Sequence, residues 1–213
     1  MARQSYPLRK TDDNLMPIPE KLKDRLYPRV LELFSRKDAY QVSISSISKS
    51  SGVSSGTIYK YFSSKEDLLF TIIEEKLAEL SKRIAIEIQG LESARETFRK
   101  LLWIVMDFYD KNPHVAISAF ISLPMVTWMQ QDAFRNPTVK NIFIDIIYKG
   151  IDRGELDDRI DVRRFQDIFY MICYRFIHTW YFFGMKWRLA DALSRDFDIF
   201  WKMLARPEDQ TGN

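Results

Sequence analysis

The stretch Ser54-Ser55-Gly56-Thr57-Ile58-Tyr59-Lys60-Tyr61-Phe62 constrains the fold more than any other part of the chain. It is entered through Gly52-Val53 and left through Ser63-Ser64-Lys65-Glu66-Asp67-Leu68. Just past a helix end the backbone often needs a left-handed conformation, which glycine adopts freely. Gly52 therefore closes a helix over Ser45 to Ser51 and turns the chain sharply. Val53 fits the angle between that helix and the next, and Ser54 or Ser55 offers a side-chain oxygen to the new helix's free N–H groups. Ile58 and Phe62, four apart, share the inner face. The opposite face is centred on Gly56 and Lys60 and flanked by Thr57 and Tyr59. A cation, a hydroxyl, a phenol and bare backbone make a surface that fits a DNA major groove. Ser64 starts a further helix with Asp67 placed to complete a capping box, and Lys65 stands at its first position, where a phosphate meets exposed N–H groups.

An ordinary helix pair with a solvated outer face has the same spacing, so spacing alone leaves both readings open. A longer pattern separates them. Ile44-x-x-Ile47-Ser48-x-x-Ser51-Gly52-Val53-Ser54-x-Gly56-Thr57-Ile58-Tyr59-x-Tyr61-Phe62-x-Ser64-Lys65-Glu66-x-Leu68-Leu69 resembles the DNA-binding domain of TetR-family transcription regulators. The resemblance reaches back through Leu31-x-Leu33-Phe34 and Tyr40 and covers about residues 26 to 70; beyond that it is one of helix layout only. It implies an all-α fold: a three-helix helix-turn-helix domain over residues 20–66, after a loose basic arm at 1–19, then a helical effector-binding and dimerisation domain over 67–213. It also implies DNA contacts from Ser45, Ser54, Ser55, Gly56, Thr57, Tyr59, Lys60, Tyr61 and Lys65. Tyr59, Lys65 and Thr57 would grip phosphates, Ser55, Gly56 and Lys60 would lie nearest the base edges, and Ser45 would face the backbone. Ser48 and Ser51 stand where the family has Ala, and Ala39 where it has Gly, all small-for-small changes. Pro28 is the larger departure. A proline inside a helix loses a hydrogen bond and clashes with the preceding turn at a cost of about 3 kcal/mol, so the first helix is expected to start near Pro28 or to kink there.

Charge is distributed in the same sense. Residues 1 to 65 hold twelve Lys/Arg against six Asp/Glu, whereas the remainder holds twenty against twenty-three, for a net +3 overall. A basic first third on an acidic body fits a phosphate-binding head on a different kind of domain. Arg3, Arg9 and Lys10 lie in the arm, which either reaches a minor groove or is a floppy terminus. The single cysteine, Cys173, lies in an apolar run and reads as a small buried hydrophobe, with cytoplasmic residence as the weak corollary. The start of the chain lacks the apolar segment of a signal peptide. The most apolar run, Ile168 to Phe183, contains Arg175 and His178 and falls short of the roughly 18 clean apolar residues of a membrane span. No metal site or cofactor is expected, and no HExxH, phosphate-binding loop, GxSxG or Cys–His–Asp arrangement suggests an enzyme.

Past the head, apolar residues from Leu68 to Ile84 recur every three or four positions in a long helix from Lys65 towards Gln89, which Gly90 closes. Ser93 with Glu96 forms a capping box for a helix through Tyr109 that is apolar nearly all round and therefore central. Asn112-Pro113 and Asn136-Pro137 start further helices, Pro124 interrupts the first and Gly154 ends the second. Asp161 caps a helix to about Phe183, and a last helix spans Leu189 to Ala205.

The family layout implies that these last two helices pair two subunits, as a palindromic operator requires. It also implies a small, largely apolar effector. Trp103, Met106, Asp107, Phe120, Trp128, Phe143, Tyr174, Arg175 and His178 are the candidate lining, although such aromatics also simply fill cores. Arg175 pairs with Asp107, with an acidic effector, or across the subunit interface. The function expected is a dimeric repressor released by its effector. The alternatives are a regulator of the same fold without an effector, and a helical protein-interaction module.

Overall fold

In the computed structural model, which describes residues 17–36, 39–123 and 137–207, the first helix runs through its proline. α1 spans Glu20–Arg36 with Pro28 inside it, so the expected start at Pro28 is corrected. Pro28 lies on the exposed side together with Asp24, whose carbonyl it cannot bond. On the other side Leu26, Val30, Leu31 and Phe34 are buried, and their packing outweighs the lost bond. A 3-10 turn at Ala39–Gln41 leads into α2 (Ile44–Ser51), α3 (Ser55–Tyr61) and α4 (Lys65–Glu87). α5 (Ala94–Lys111) is followed by the short α6 (Pro113–Ile117), which runs into a π-helical turn at Ser118–Ser122. α7 (Pro137–Asp152), α8 (Val162–Phe182) and α9 (Leu189–Trp201) complete the order. The fold is all-α; the one isolated bridge among the described residues joins Leu156 to Ala205. The expected arm up to residue 16, the Pro124 break, Trp128 and the chain beyond residue 207 lie outside the described residues.

One compact unit takes in the described residues of Met1–Leu77 and Pro113–Arg135. Ile47, Val53, Ile58, Phe62, Leu68, Leu69, Ile72 and Ile73 join the apolar face of α1 in its core. Burial of each such side chain is worth about 1.5–3 kcal/mol. Lys23 and Tyr27 of α1 both reach the Glu75 carboxylate of α4, at 3.0 Å each. The last turn of α1 is tied to the π-helical turn, where the Ser122 hydroxyl donates to the Phe34 carbonyl at 2.7 Å.

The other unit takes in the described residues of Ala78–Asn112 and Asn136–Asn213. α5 is its central helix, as its apolar circumference predicts: Phe98, Leu101, Leu102, Ile104 and Met106 are wholly buried. Phe98 meets the Phe165 ring edge-on with centroids 5.1 Å apart, and Phe143 lies 5.3 Å from Phe165 and 5.0 Å from Phe169. Cys173 is buried, and burial pushes its thiol up. Two helix starts are capped by carboxylates distant in sequence. Ser93 caps α5 by accepting from the Glu96 N–H at 3.4 Å, but the expected reciprocal bond from Glu96 is replaced. Glu155 takes the Ser93 hydroxyl at 2.7 Å and the Arg95 N–H at 3.1 Å, and Glu96 pairs with Arg99 instead. Likewise Asp110 of α5 accepts the Leu189 and Ala190 N–H groups at the start of α9. Asp161 caps α8 through the Arg164 N–H at 2.8 Å.

Gly150 of α7 lies against Leu156 and against Ala94 at the start of α5. A methyl group there would stand 2.6 Å from Leu156 Cδ1 and 2.7 Å from Ala94 Cβ. Gly150→Ala is expected to lower stability by about 1–3 kcal/mol through overpacking. Urea denaturation should show a lower midpoint with an unchanged slope.

Candidate DNA-binding surface

The turn between α2 and α3 follows from three residues. Ser43 caps α2 in a reciprocal box with Ser46, its side chain accepting from the Ser46 N–H at 3.1 Å while its own N–H donates to the Ser46 hydroxyl at 3.0 Å. Gly52 ends α2 at φ 67° in the left-handed region and returns its N–H to the Ser48 carbonyl. Val53 is buried in the angle, and Ser54, not Ser55, caps α3 through the Thr57 N–H at 3.1 Å. The Arg25 guanidinium of α1 donates to the Gly52 carbonyl at 2.7 Å and pins the turn from below.

α3 then divides by face. Ile58 and Phe62 are buried, while Ser54, Gly56, Thr57, Tyr59 and Lys60 are exposed, Tyr59 at 59%. Ser55 and Tyr61 are half-buried, and the Lys60 ammonium lies 5.6 Å from the centroid of the Tyr61 ring. The Thr57 hydroxyl shares a 2.8 Å hydrogen bond with that of Ser54. Ser45 is exposed in the first turn of α2. A Cβ built on Gly56 meets nothing within 4 Å. Packing inside the chain therefore does not demand a glycine there, and Gly56 leaves bare backbone on the exposed face of α3.

Lys65 is the exception among the expected contacts. Its ammonium points back, donating to the Ala39 and Val42 carbonyls at 2.7 Å each, with the Glu66 carboxylate at 3.7 Å. The box at the start of α4 is also displaced by one residue: Ser64 accepts from the Asp67 N–H, but the Asp67 carboxylate takes the N–H and hydroxyl of Ser63.

The expected effector-lining residues are scattered. Met106, Asp107 and Phe143 are buried, Trp103 and His178 are half-buried, and Tyr174 and Arg175 are exposed, all in the unit built on α5. Phe120 belongs to the unit of α1. Asp107 receives Arg83 at 2.8 Å, Lys111 at 2.8 Å and Arg188 at 3.2 Å, so its partners are these three cations rather than Arg175. Burial works to raise its carboxyl; the hydrogen bonds from Lys111 and Arg83 outweigh that and hold it below the usual carboxylate range. The Arg83 and Lys100 charges also lie over the Trp103 ring, at 5.8 and 4.9 Å from its centroid. His178 stacks on Tyr174 at 3.8 Å. Among the described residues, no acidic, His or Cys cluster is placed to hold a metal, and no helix is long and apolar enough to cross a membrane.

A glycine-ended helix, a buried turn residue and a second short helix with one polar, uncovered face define a helix-turn-helix DNA-binding protein. Residues 31–72 match the family model described as bacterial regulatory proteins, tetR family. The fatty acid metabolism regulator protein of Bacillus subtilis (strain 168) is 27% identical over 167 residues, covering 77% of this chain and 85% of that protein. The fatty acid degradation regulator FadR from Bacillus halodurans superposes with a TM-score of 0.76 at 18% identity, covering 87% of this chain and 97% of that one. FadR from Bacillus subtilis, solved in complex with stearoyl-CoA, superposes with a TM-score of 0.73 at 22% identity over 83% of this chain and 96% of that one. Over residues 31–72 the chain thus carries a TetR-type DNA-binding region, and the proteins it resembles over most of its length are transcription regulators.

Two substitutions separate the roles of these residues. Gly56→Ala is expected to raise the stability of the head by up to about 1 kcal/mol, since alanine is the better helix former, while weakening DNA binding at least about tenfold. Thermal melts and anisotropy titrations on one preparation check both signs. Asp107→Asn should cost about 1–3 kcal/mol, discounted because Lys111 and Arg188 are more than half exposed. Because the folded carboxyl titrates below its unfolded value of about 3.9, its contribution is present above that pH and fades as pH falls through the folded value. Wild-type and Asp107→Asn stabilities, measured from neutral pH into acid, should therefore converge.

Proposed function

We propose that the protein is a cytoplasmic homodimeric repressor that binds a palindromic operator through α2 and α3 and releases it when a small, largely apolar effector enters the helical body. The observation that carries this reading is the exposed face of α3, with its Gly56 backbone open and Tyr59 and Lys60 uncovered. The contact set is Ser45, Ser54, Ser55, Gly56, Thr57, Tyr59, Lys60 and Tyr61, and Lys65 supports it from the start of α4 by holding the Ala39 and Val42 carbonyls. Residues 20–66 form the DNA-binding part and 67–213 the regulatory part.

The pairing surface is the outer side of α8 and α9. Met171 (56% exposed) and Phe182 (80%) on α8, and Ile199 (65%) on α9, leave apolar area of the kind that monomers rarely expose. A second copy covers it and sets the two α3 helices one DNA turn apart.

The effector reading is supported by the family and by a relative of the same fold solved with stearoyl-CoA. A long-chain acyl thioester is therefore the ligand class we assign. It acts through α4, and it displaces DNA only through its higher affinity for the DNA-free conformation. One observation favours a regulator without an effector: Asp107 and Phe143 are already fully engaged in the core, by three cations and by neighbouring aromatic rings.

Anisotropy titrations against the DNA upstream of the protein's own gene test the reading. Binding should be sequence-selective, weaken steeply with salt, and collapse in Tyr59→Ala. Stearoyl-CoA should lower operator affinity at least about tenfold; an unchanged affinity at saturating ligand favours the effector-free reading. Phe182→Glu should shift the protein from dimer to monomer in sedimentation and weaken operator binding in parallel.

A further inference from the structure

We propose that Tyr40 is a DNA-backbone contact, held in place by Lys65, which acts as a positioning residue rather than as a phosphate ligand. The inference rests on the DNA-binding reading of α2 and α3 and extends it to the turn in front of them.

Tyr40 sits in the middle of the 3-10 turn Ala39–Gln41 with its side chain 80% exposed. An aromatic that exposed adds little to the core. Its backbone is nevertheless tightly fixed. The Lys65 ammonium donates to the carbonyls on both sides of it, Ala39 and Val42, at 2.7 Å each. The Val42 N–H closes the turn onto the Ala39 carbonyl at 3.4 Å, and the Val42 side chain is buried. A rigid pedestal under an uncovered phenol costs little ordering entropy when a partner arrives.

Place and chemistry point to a phosphate as that partner. Three residues after Tyr40, Ser43 caps α2, whose exposed Ser45 belongs to the DNA-contacting set. Lys65, the clamp, is the first residue of α4 and follows directly on α3. The turn is thus bolted to the end of the recognition element. A tyrosine hydroxyl is among the donors that proteins use on DNA phosphates, where contacts fix register without reading sequence. Lys65 is half-buried, spends two donors on carbonyls and faces Glu66, so its charge serves the pedestal first.

The two roles have separate signatures. A lysine lost from a direct phosphate contact lowers the salt slope of binding by about 1, whereas loss of a neutral hydroxyl or of a pedestal leaves the slope unchanged. The experiment titrates operator and scrambled duplexes over a salt series with wild type, Tyr40→Phe, Tyr40→Ala, Lys65→Met and the Tyr40→Phe/Lys65→Met double variant, with Tyr59→Ala beside them. Tyr40→Phe removes one exposed oxygen and keeps the fold. It is expected to weaken both duplexes by the same factor, about tenfold, with the slope kept. Lys65→Met should give a similar loss at an unchanged slope, and the double variant should be little worse than either single one. Wild-type binding by Tyr40→Phe, while Tyr59→Ala fails, overturns the Tyr40 contact and leaves the DNA face standing. A shallower slope in Lys65→Met with additive losses overturns the positioning role. Wild-type binding by Tyr59→Ala as well overturns the underlying DNA-face reading, and with it this proposal.

Discussion

The left-handed backbone at Gly52 is the constraint on which the head depends. At φ 67° it ends α2, brings Val53 into the core and launches α3 at a fixed angle, and a Cβ at that residue would stand 3.1 Å from the Arg25 guanidinium. That guanidinium is also the group that holds the Gly52 carbonyl. Strain in the dihedral and loss of the anchor would therefore arrive together. Everything that makes α3 useful, from the burial of Ile58 to the exposure of Tyr59, follows from the direction set there. α1 matters because it supplies both Arg25 and the apolar face of Leu26, Val30 and Phe34 under the turn. This is the physical reason that its helix persists through Pro28: the head has more to lose from an interrupted α1 than one missing hydrogen bond.

The turn was legible in the sequence because each of its requirements selects a residue type locally. A left-handed residue asks for glycine, a cap asks for a short oxygen-bearing side chain, and a buried face asks for apolar residues at a helical spacing. Helix order in the rest of the chain was legible for the same reason. Asn-Pro pairs, Gly90, Gly154 and Asp161 punctuate it, and the structure places helix ends within a few residues of them.

What the sequence hid is mostly what acts across long separations. Lys65 looks like a phosphate ligand from its place at a helix start, yet carbonyls 23 and 26 residues earlier hold its ammonium. Asp107 was one possible partner for Arg175 because both interrupt apolar runs. Its cations instead come from α4, from one turn along α5, and from the residue before α9. Glu155 and Asp110 cap helices to which no local pattern links them. The Ser43–Ser46 box is the one omission that local reading could have supplied, since its serines have the cap spacing. The candidate effector residues are the least legible. An aromatic that lines a pocket and one that fills a core carry the same sequence signal, and Phe143 belongs to the core, 5.0 Å from the Phe169 ring.

The central claim is that the uncovered face of α3 enters the major groove at two symmetric half-sites. Methylation interference on the operator tests it most directly, because a methyl on guanine N7 blocks the major groove, whereas one on adenine N3 blocks the minor groove. The account predicts interference from guanine N7 in two clusters about one helical turn apart. Binding that is indifferent to guanine N7 methylation and lost on adenine N3 methylation would contradict it and place recognition in the minor groove.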